Sequence, residues 1–165
     1  MGPQVQPSPE QQVRTPAGAR PPPTVVLDTN AVMDWLVFQD PSCTAWGRRF
    51  SEGDARWLAS AAMRQELDHV LSRGVARAWE PSLQDVWSAW DRYAIIVPAP
   101  PTGGPGPRIR CTDTDDQKFV DLALAHGVRW LVSRDRALLK LKRRLRPFGI
   151  EVLHPRDWSA AYGSG

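Results

Sequence analysis

The run Val25-Val26-Leu27-Asp28-Thr29-Asn30 decides how the rest of the chain is read. Its apolar, largely β-branched start has the pattern of a short buried strand, and a carboxylate closes it. A second run, Trp130-Leu131-Val132-Ser133-Arg134-Asp135, follows the same plan, with its Asp just past the apolar residues. Between the two lies Asp113-Thr114-Asp115-Asp116, a carboxylate cluster that opens an apolar helical pattern. In a parallel sheet the strand ends and the starts of the following helices gather on one edge, where ligand sites form. Carboxylates crowded on one edge repel one another unless a cation sits among them. The pattern therefore points to a divalent metal ion and a phosphate-bearing substrate.

Working outward, strand patterns recur at Arg56–Ala59, Ala94–Val97 and Ile150–Leu153. Helices are expected at Ala31–Phe38, with Asn30 or Thr29 near the N-cap, and at Ser42–Ser51. A further helix over Ala61–Ser72 takes Ser60 as its cap, with Met63, Leu67, Val70 and Leu71 on one stripe. Pro81 opens a helix whose face carries Leu83, Val86, Trp87 and Trp90. Asp116–His126, stopped by Gly127, reads as a helix that is apolar nearly all round and hence buried. Arg136–Leu145 reads as a basic helix, and Pro155–Ala161 as a short last one. Strands alternating with helices predict an α/β fold, with a central parallel sheet of about five strands covered on both faces.

A chain of 165 residues suits one domain, and a 42% hydrophobic content suffices for a core. Residues 1–23 hold seven of the 16 prolines and almost no large apolar side chains. They are expected to form a disordered leader, followed by one domain over 24–160 and a flexible tail at 161–165. The leader lacks the apolar run of a secretory signal, and no stretch is long and apolar enough to span a membrane. The two cysteines, Cys43 and Cys111, make neither metal-ligand spacing nor a disulfide framework, which fits a reducing cytoplasm. The net charge is only +3, but Arg134, Arg136, Lys140, Arg143 and Arg144 crowd one short segment after Asp135. Either they form a solvated face or they contact phosphates.

The acids have separate readings. Asp28 suits a helix cap, and Asn30 offers a neutral oxygen or a hydrogen bond to Asp28. Glu66 sits beside the apolar stripe of its helix, so it is either ion-paired or used. Capping explains one of Asp113, Asp115 and Asp116 but hardly all three. Ser133 is placed to cap or to bind a phosphate. Asp121 points away from Asp116 and is left outside. His69, His126 and His154 read as structural or surface residues. Trp35, Trp57, Trp87, Trp90 and Trp130 read as core.

These residues together resemble the PIN-domain nucleases, in particular the bacterial branch described as toxin components of toxin–antitoxin pairs. The matching pieces are Val25–Asn30, Gln65-Glu66-Leu67, Cys111–Phe119 and Leu131–Asp135, within residues 24–155. The resemblance implies a three-layer α/β/α fold and an acidic quartet that binds Mg²⁺ or Mn²⁺ and cuts RNA. By position the quartet is Asp28, Glu66, Asp116 and Asp135, with Asp113 and Asp115 competing for the third place. Asp28, Asp116 and Asp135 are then expected to hold the metal, with Glu66 completing the shell or orienting the attacking water. The resemblance also implies an antitoxin protein and a homodimer as partners. Three other readings stand beside it. Haloacid-dehalogenase-like phosphatases need a second Asp where Asn30 stands. Signalling receiver domains need an acceptor Asp and a Lys that are not clear here. A non-catalytic RNA- or partner-binding module on the same fold stays open.

Overall fold

A computed structural model describes residues 21–74, 82–101, 106 and 108–163. The leader assigned to 1–23 falls largely outside these, as does Pro81; of the tail expected at 161–165, residues 161–163 continue the last helix and 164–165 lie outside the described residues. Five strands form one sheet: β1 (Thr24–Leu27), β2 (Arg56–Ala59), β3 (Ala94–Ile96), β4 (Trp130–Val132) and β5 (Glu151–Leu153). Their order is β3-β2-β1-β4-β5, and every neighbouring pair is parallel. In β1 and β4 successive residues point to opposite faces, yet Val25, Val26, Leu27, Trp130, Leu131 and Val132 are all buried. Both faces of the sheet are therefore covered by helices, as a three-layer α/β/α architecture requires.

The helices are α1 (Thr29–Leu36), α2 (Trp46–Ser51), α3 (Ala61–Ser72), α4 (Leu83–Tyr93), α5 (Gln117–His126), α6 (Arg136–Leu139), α7 (Lys142–Leu145) and α8 (Pro155–Gly163). Ser60 caps α3 through the Met63 N–H, and Met63 and Leu67 are buried on the expected stripe. Helix α5 buries Phe119, Val120, Leu122 and Ala123. It ends at Gly127, whose φ of 57° lies in the left-handed region that favours glycine.

Several boundaries differ from expectation. The cap of α1 is Asp28 rather than Asn30 or Thr29, because the Asp28 carboxylate accepts the Ala31 N–H. The segment 42–51 is divided into a 3₁₀ turn (Pro41–Cys43) and α2. Residues Thr114–Asp116 form a 3₁₀ turn ahead of α5. The basic segment is not one helix. The Leu141 N–H bonds the Leu138 carbonyl three residues back, and this tightened turn separates α6 from α7 while Leu138, Leu141 and Leu145 stay buried. On α4, Val86 and Trp90 are buried, but Leu83 is 50% exposed. Trp35 and Trp87 are half-buried; Trp87 lies under the Arg64 guanidinium, 4.5 Å from its ring.

The chain runs from β1 outward to β2 and β3, then crosses to the other side of β1 for β4 and β5. The crevice beyond the carboxyl ends of β1 and β4 is thus the point where the winding reverses, the usual ligand position in such sheets.

Candidate active site

Asp28 and Asp135 stand at that crevice because they directly follow β1 and the β4 turn. The pairing of β1 with β4 continues one residue further, through the Asp28 N–H to the Val132 carbonyl at 3.1 Å. Asp28 is 2% exposed. One of its carboxylate oxygens accepts the Ala31 N–H at 2.7 Å, and the other accepts the Ser133 hydroxyl. Ser133 is fully buried, and its oxygen also accepts the Asp135 N–H at 2.9 Å. Ser133 therefore ties Asp28 to Asp135, donating to the one and accepting from the other. Asn30 is exposed and does not hold Asp28; Ala31 and Ser133 do.

Asp113, Asp116 and Asp135 each bring a carboxylate oxygen to within 4.8 Å of the others. Two of the three are also caps. Asp113 accepts the Asp115 N–H, and Asp135 accepts the Ala137 N–H. Capping and membership of an acidic cluster are therefore compatible, since a cap employs only one of two carboxylate oxygens. Asp116 makes no cap bond, and its Oδ2 is buried without a hydrogen-bond partner. A buried acceptor left without a partner is costly and calls for an explanation. Asp115 is exposed and outside the group.

The charges feel one another. Burial is the main force pushing the Asp116 carboxyl up to about 7, helped by the charges of Asp135, Asp113 and Asp28 and by a hydrogen bond that the protonated carboxyl shares with Asp135. Burial likewise lifts Asp28 to about 7 against the opposing hydrogen bonds from Ser133 and Ala31, with Asp135 adding to the rise. Asp28 is not one of the three clustered carboxylates, but it lies within their field. None of the salt bridges among the described residues engages Asp113, Asp116 or Asp135. Three hard oxygen donors, one of them orphaned, fit Mg²⁺ or Mn²⁺.

Glu66 behaves differently. Its Oε1 accepts Lys118 Nζ at 2.8 Å, and its Oε2 accepts the Thr29 hydroxyl. The ion-pair reading of Glu66 is therefore met, by a residue that the sequence reading passed over. A signal was present: Lys118 lies in the first turn of α5, the end of a helix where a cation is disfavoured. Gln117 was also missed. It bonds the Ile109 carbonyl and the Cys111 N–H, and so fixes the chain leading into Asp113. Asp121 accepts from Gln117 at 2.9 Å and stays outside the cluster, as expected.

In the basic segment, Arg134 pairs with the nearly buried Asp34 of α1 at 3.3 Å. Arg136, Lys140, Arg143 and Arg144 are exposed. Of the histidines, His69 is exposed on α3, His126 meets the Pro98 carbonyl, and His154 accepts the Arg156 N–H.

The family model described as PIN domain matches residues 24–137, more than half of the chain. The chain belongs to the PIN domain family. PIN domains are generally metal-dependent nucleases, and the matched span contains Asp28, Glu66, Asp113, Asp116 and Asp135. No curated protein sequence matches the chain. Among the described residues of this PIN domain, no helix is long and apolar enough to cross a membrane.

Proposed function

We propose that this PIN domain is a Mg²⁺- or Mn²⁺-dependent endoribonuclease whose metal is held by Asp113, Asp116 and Asp135. The observation that carries the reading is the convergence of these carboxylates within 4.8 Å around the unpartnered, buried Asp116 Oδ2. Asp113 thus joins Asp116 and Asp135, and Asp28 supports them from beneath through Ser133. When bound, a divalent ion of this kind supplies a lowered pKa for water and neutralises charge that develops on a phosphate.

The chain's own residues do the rest. Ser133 and the Ala31 N–H hold the Asp28 carboxylate rigid, so its charge acts from one place. The hydrogen bond from the Asp135 N–H to Ser133 sets the turn that presents Asp135. Arg136, Lys140, Arg143 and Arg144 offer exposed cations for the phosphates of single-stranded RNA. Of the tryptophans expected in apolar patterns, Trp57, Trp90 and Trp130 are buried and unsuited to base stacking. The expected products carry a 5′-phosphate and a 3′-hydroxyl. A role as the toxin of a toxin–antitoxin pair rests on the sequence resemblance. It predicts growth arrest on expression, relieved by a co-expressed partner protein that covers the acidic pocket.

The test is cleavage of a single-stranded RNA with Mn²⁺ and with EDTA, by the wild type and by Asp116→Asn. Cleavage in Mn²⁺ alone is expected. The variant should lose about a hundredfold or more, since even outer-shell partners of a metal are worth about ten- to a hundredfold. RNA binding without cleavage in either condition would favour the non-catalytic module.

A further inference from the structure

Of the acids that the resemblance assigns to the quartet, Glu66 alone pairs with a cation among the described residues. Lys118 donates to its Oε1 at 2.8 Å and to the Asp115 carbonyl at 2.7 Å. The ammonium is therefore folded back over the 3₁₀ turn that carries Asp116, instead of extending into solvent. The Lys118 side chain is 28% exposed, and its Nζ lies 5.4 Å from the Phe119 ring centroid. Two of its three N–H groups are committed, and the third meets no oxygen acceptor among the described residues. The pair also reaches Thr29, the residue after Asp28, through the other Glu66 oxygen.

Two consequences follow. A carboxylate with both oxygens engaged, one of them by an ammonium, is a poor ligand for a dication, which that ammonium would repel. And a half-buried cation with a spare donor, held to the 3₁₀ turn that carries Asp116, is suited to an anionic group of the substrate. Resting on the nuclease reading above, we propose that Lys118 is a catalytic residue that contacts the scissile phosphate. Glu66 is its positioning residue, not a metal ligand. In the reaction water delivers its hydroxide to phosphorus and a proton to the departing 3′-oxygen, and the bond from phosphorus to that oxygen breaks. Lys118 keeps its proton throughout and stabilises charge on a non-bridging oxygen.

The experiment compares Lys118→Met, Lys118→Arg and Glu66→Gln. Mn²⁺ affinity is measured by calorimetry without RNA, and kcat and KM are measured on a fluorescent RNA of about 12 nucleotides, a length within the site sizes of single-strand binders, at saturating Mn²⁺. Loss of one fixed donor to a developing anion predicts a fall in kcat of about a hundredfold for Lys118→Met. Lys118→Arg, which keeps the charge, should recover much of it. Glu66→Gln should lower kcat by a smaller factor, and Mn²⁺ affinity should stay near wild type in all three. A roughly tenfold or greater weakening of Mn²⁺ binding by Glu66→Gln would make Glu66 a ligand and overturn the proposal. An unchanged kcat in Lys118→Met would overturn it as well. Should the wild type bind Mn²⁺ and cut nothing, the nuclease reading alone has failed, and RNA affinity in Mn²⁺ then decides. Weaker binding by Lys118→Met sustains the phosphate contact, and unchanged binding ends it.

Discussion

Two regions of this molecule treat buried charge in opposite ways. Between α1, α2, α8 and the sheet, aromatic rings pack one on another. Trp35 lies 5.9 Å from Trp46 and 5.7 Å from Trp57, and Trp46 lies 5.1 Å from Trp158. Among the described residues the one cation buried there, Arg49, is answered. It donates to the Trp158 and Ser159 carbonyls and sits 5.0 Å from the Trp158 ring. At the carboxyl edge of the sheet, Asp28, Asp113, Asp116 and Asp135 press like charges together, and no cation of the described residues pairs with the three clustered acids. Even on that edge the contrast holds, because Glu66 and Asp34 have Lys118 and Arg134. The lesson is that, among the described residues, the fold answers the buried charge of the aromatic region and leaves the clustered acids of the sheet edge unpaired. That place is where a partner from outside belongs.

The comparison can be broken or sharpened by substitution. The largest effect is expected in the aromatic region. Trp57 is 1% exposed and packs edge-on against Trp90 at 4.9 Å. Trp57→Ala should destabilise the protein by about 3–5 kcal/mol, read by urea denaturation. A loss below about 1 kcal/mol would mean that the aromatic region is not what holds the fold.

On the acidic edge the sign reverses. Asp28 and Asp116 both have carboxyls raised to about 7 in the folded chain, well above the ordinary value of 3.8. Between those values the folded state binds more protons than the unfolded state. The metal-free protein should therefore lose stability as pH rises from about 4 to about 7, and level off above that. Asp116→Asn should flatten part of this slope and stabilise the EDTA-treated protein at about pH 8, above the raised carboxyls. The gain should be on the order of 1 kcal/mol once solvent screening of this half-exposed group is allowed for. Melting curves on either side of the raised carboxyls, at about pH 5 and about pH 8, check this. A wild type that is more stable at the higher pH in EDTA, with no difference from the variant, would contradict it.

The smallest effect belongs to the exposed basic face. Replacing Lys140, Arg143 and Arg144 together by Gln should weaken RNA binding and leave stability unchanged. The slope of log affinity against log salt should shrink by about 0.7 for each phosphate that is no longer neutralised. An unchanged slope would mark this face as merely solvated.

Much of this arrangement was legible in the sequence. Short apolar runs closed by carboxylates located β1 and β4, and Ser60 with its stripe located α3 to the residue. What escaped shares a physical cause: one side chain serving two elements. Asp28 was weighed as a cap or as a site residue; it caps α1 through one oxygen, and its other oxygen meets Ser133, which is tied to Asp135. The choice among Asp113, Asp115 and Asp116 depended on how tightly the chain turns before α5. The 3₁₀ turn brings carboxylates of Asp113, itself exposed, and Asp116 together with Asp135 and leaves Asp115 outside the group. Lys118 was marked only by its unfavourable place in the first turn of α5, because its partner, Glu66, lies on α3, distant in sequence. The break between α6 and α7 was hidden because Leu138, Leu141 and Leu145 keep a helical spacing through it.

The most direct test of the central claim is calorimetric titration of the metal-free protein with Mn²⁺ at about pH 6 and about pH 8, beside Asp113→Asn, Asp116→Asn and Asp135→Asn. Because the ion competes with protons on Asp116 and Asp28, binding should tighten as pH rises through about 7. Each substitution should weaken it, Asp116→Asn the most. Mn²⁺ binding that is absent from the wild type, or that survives all three substitutions unchanged, would contradict the account.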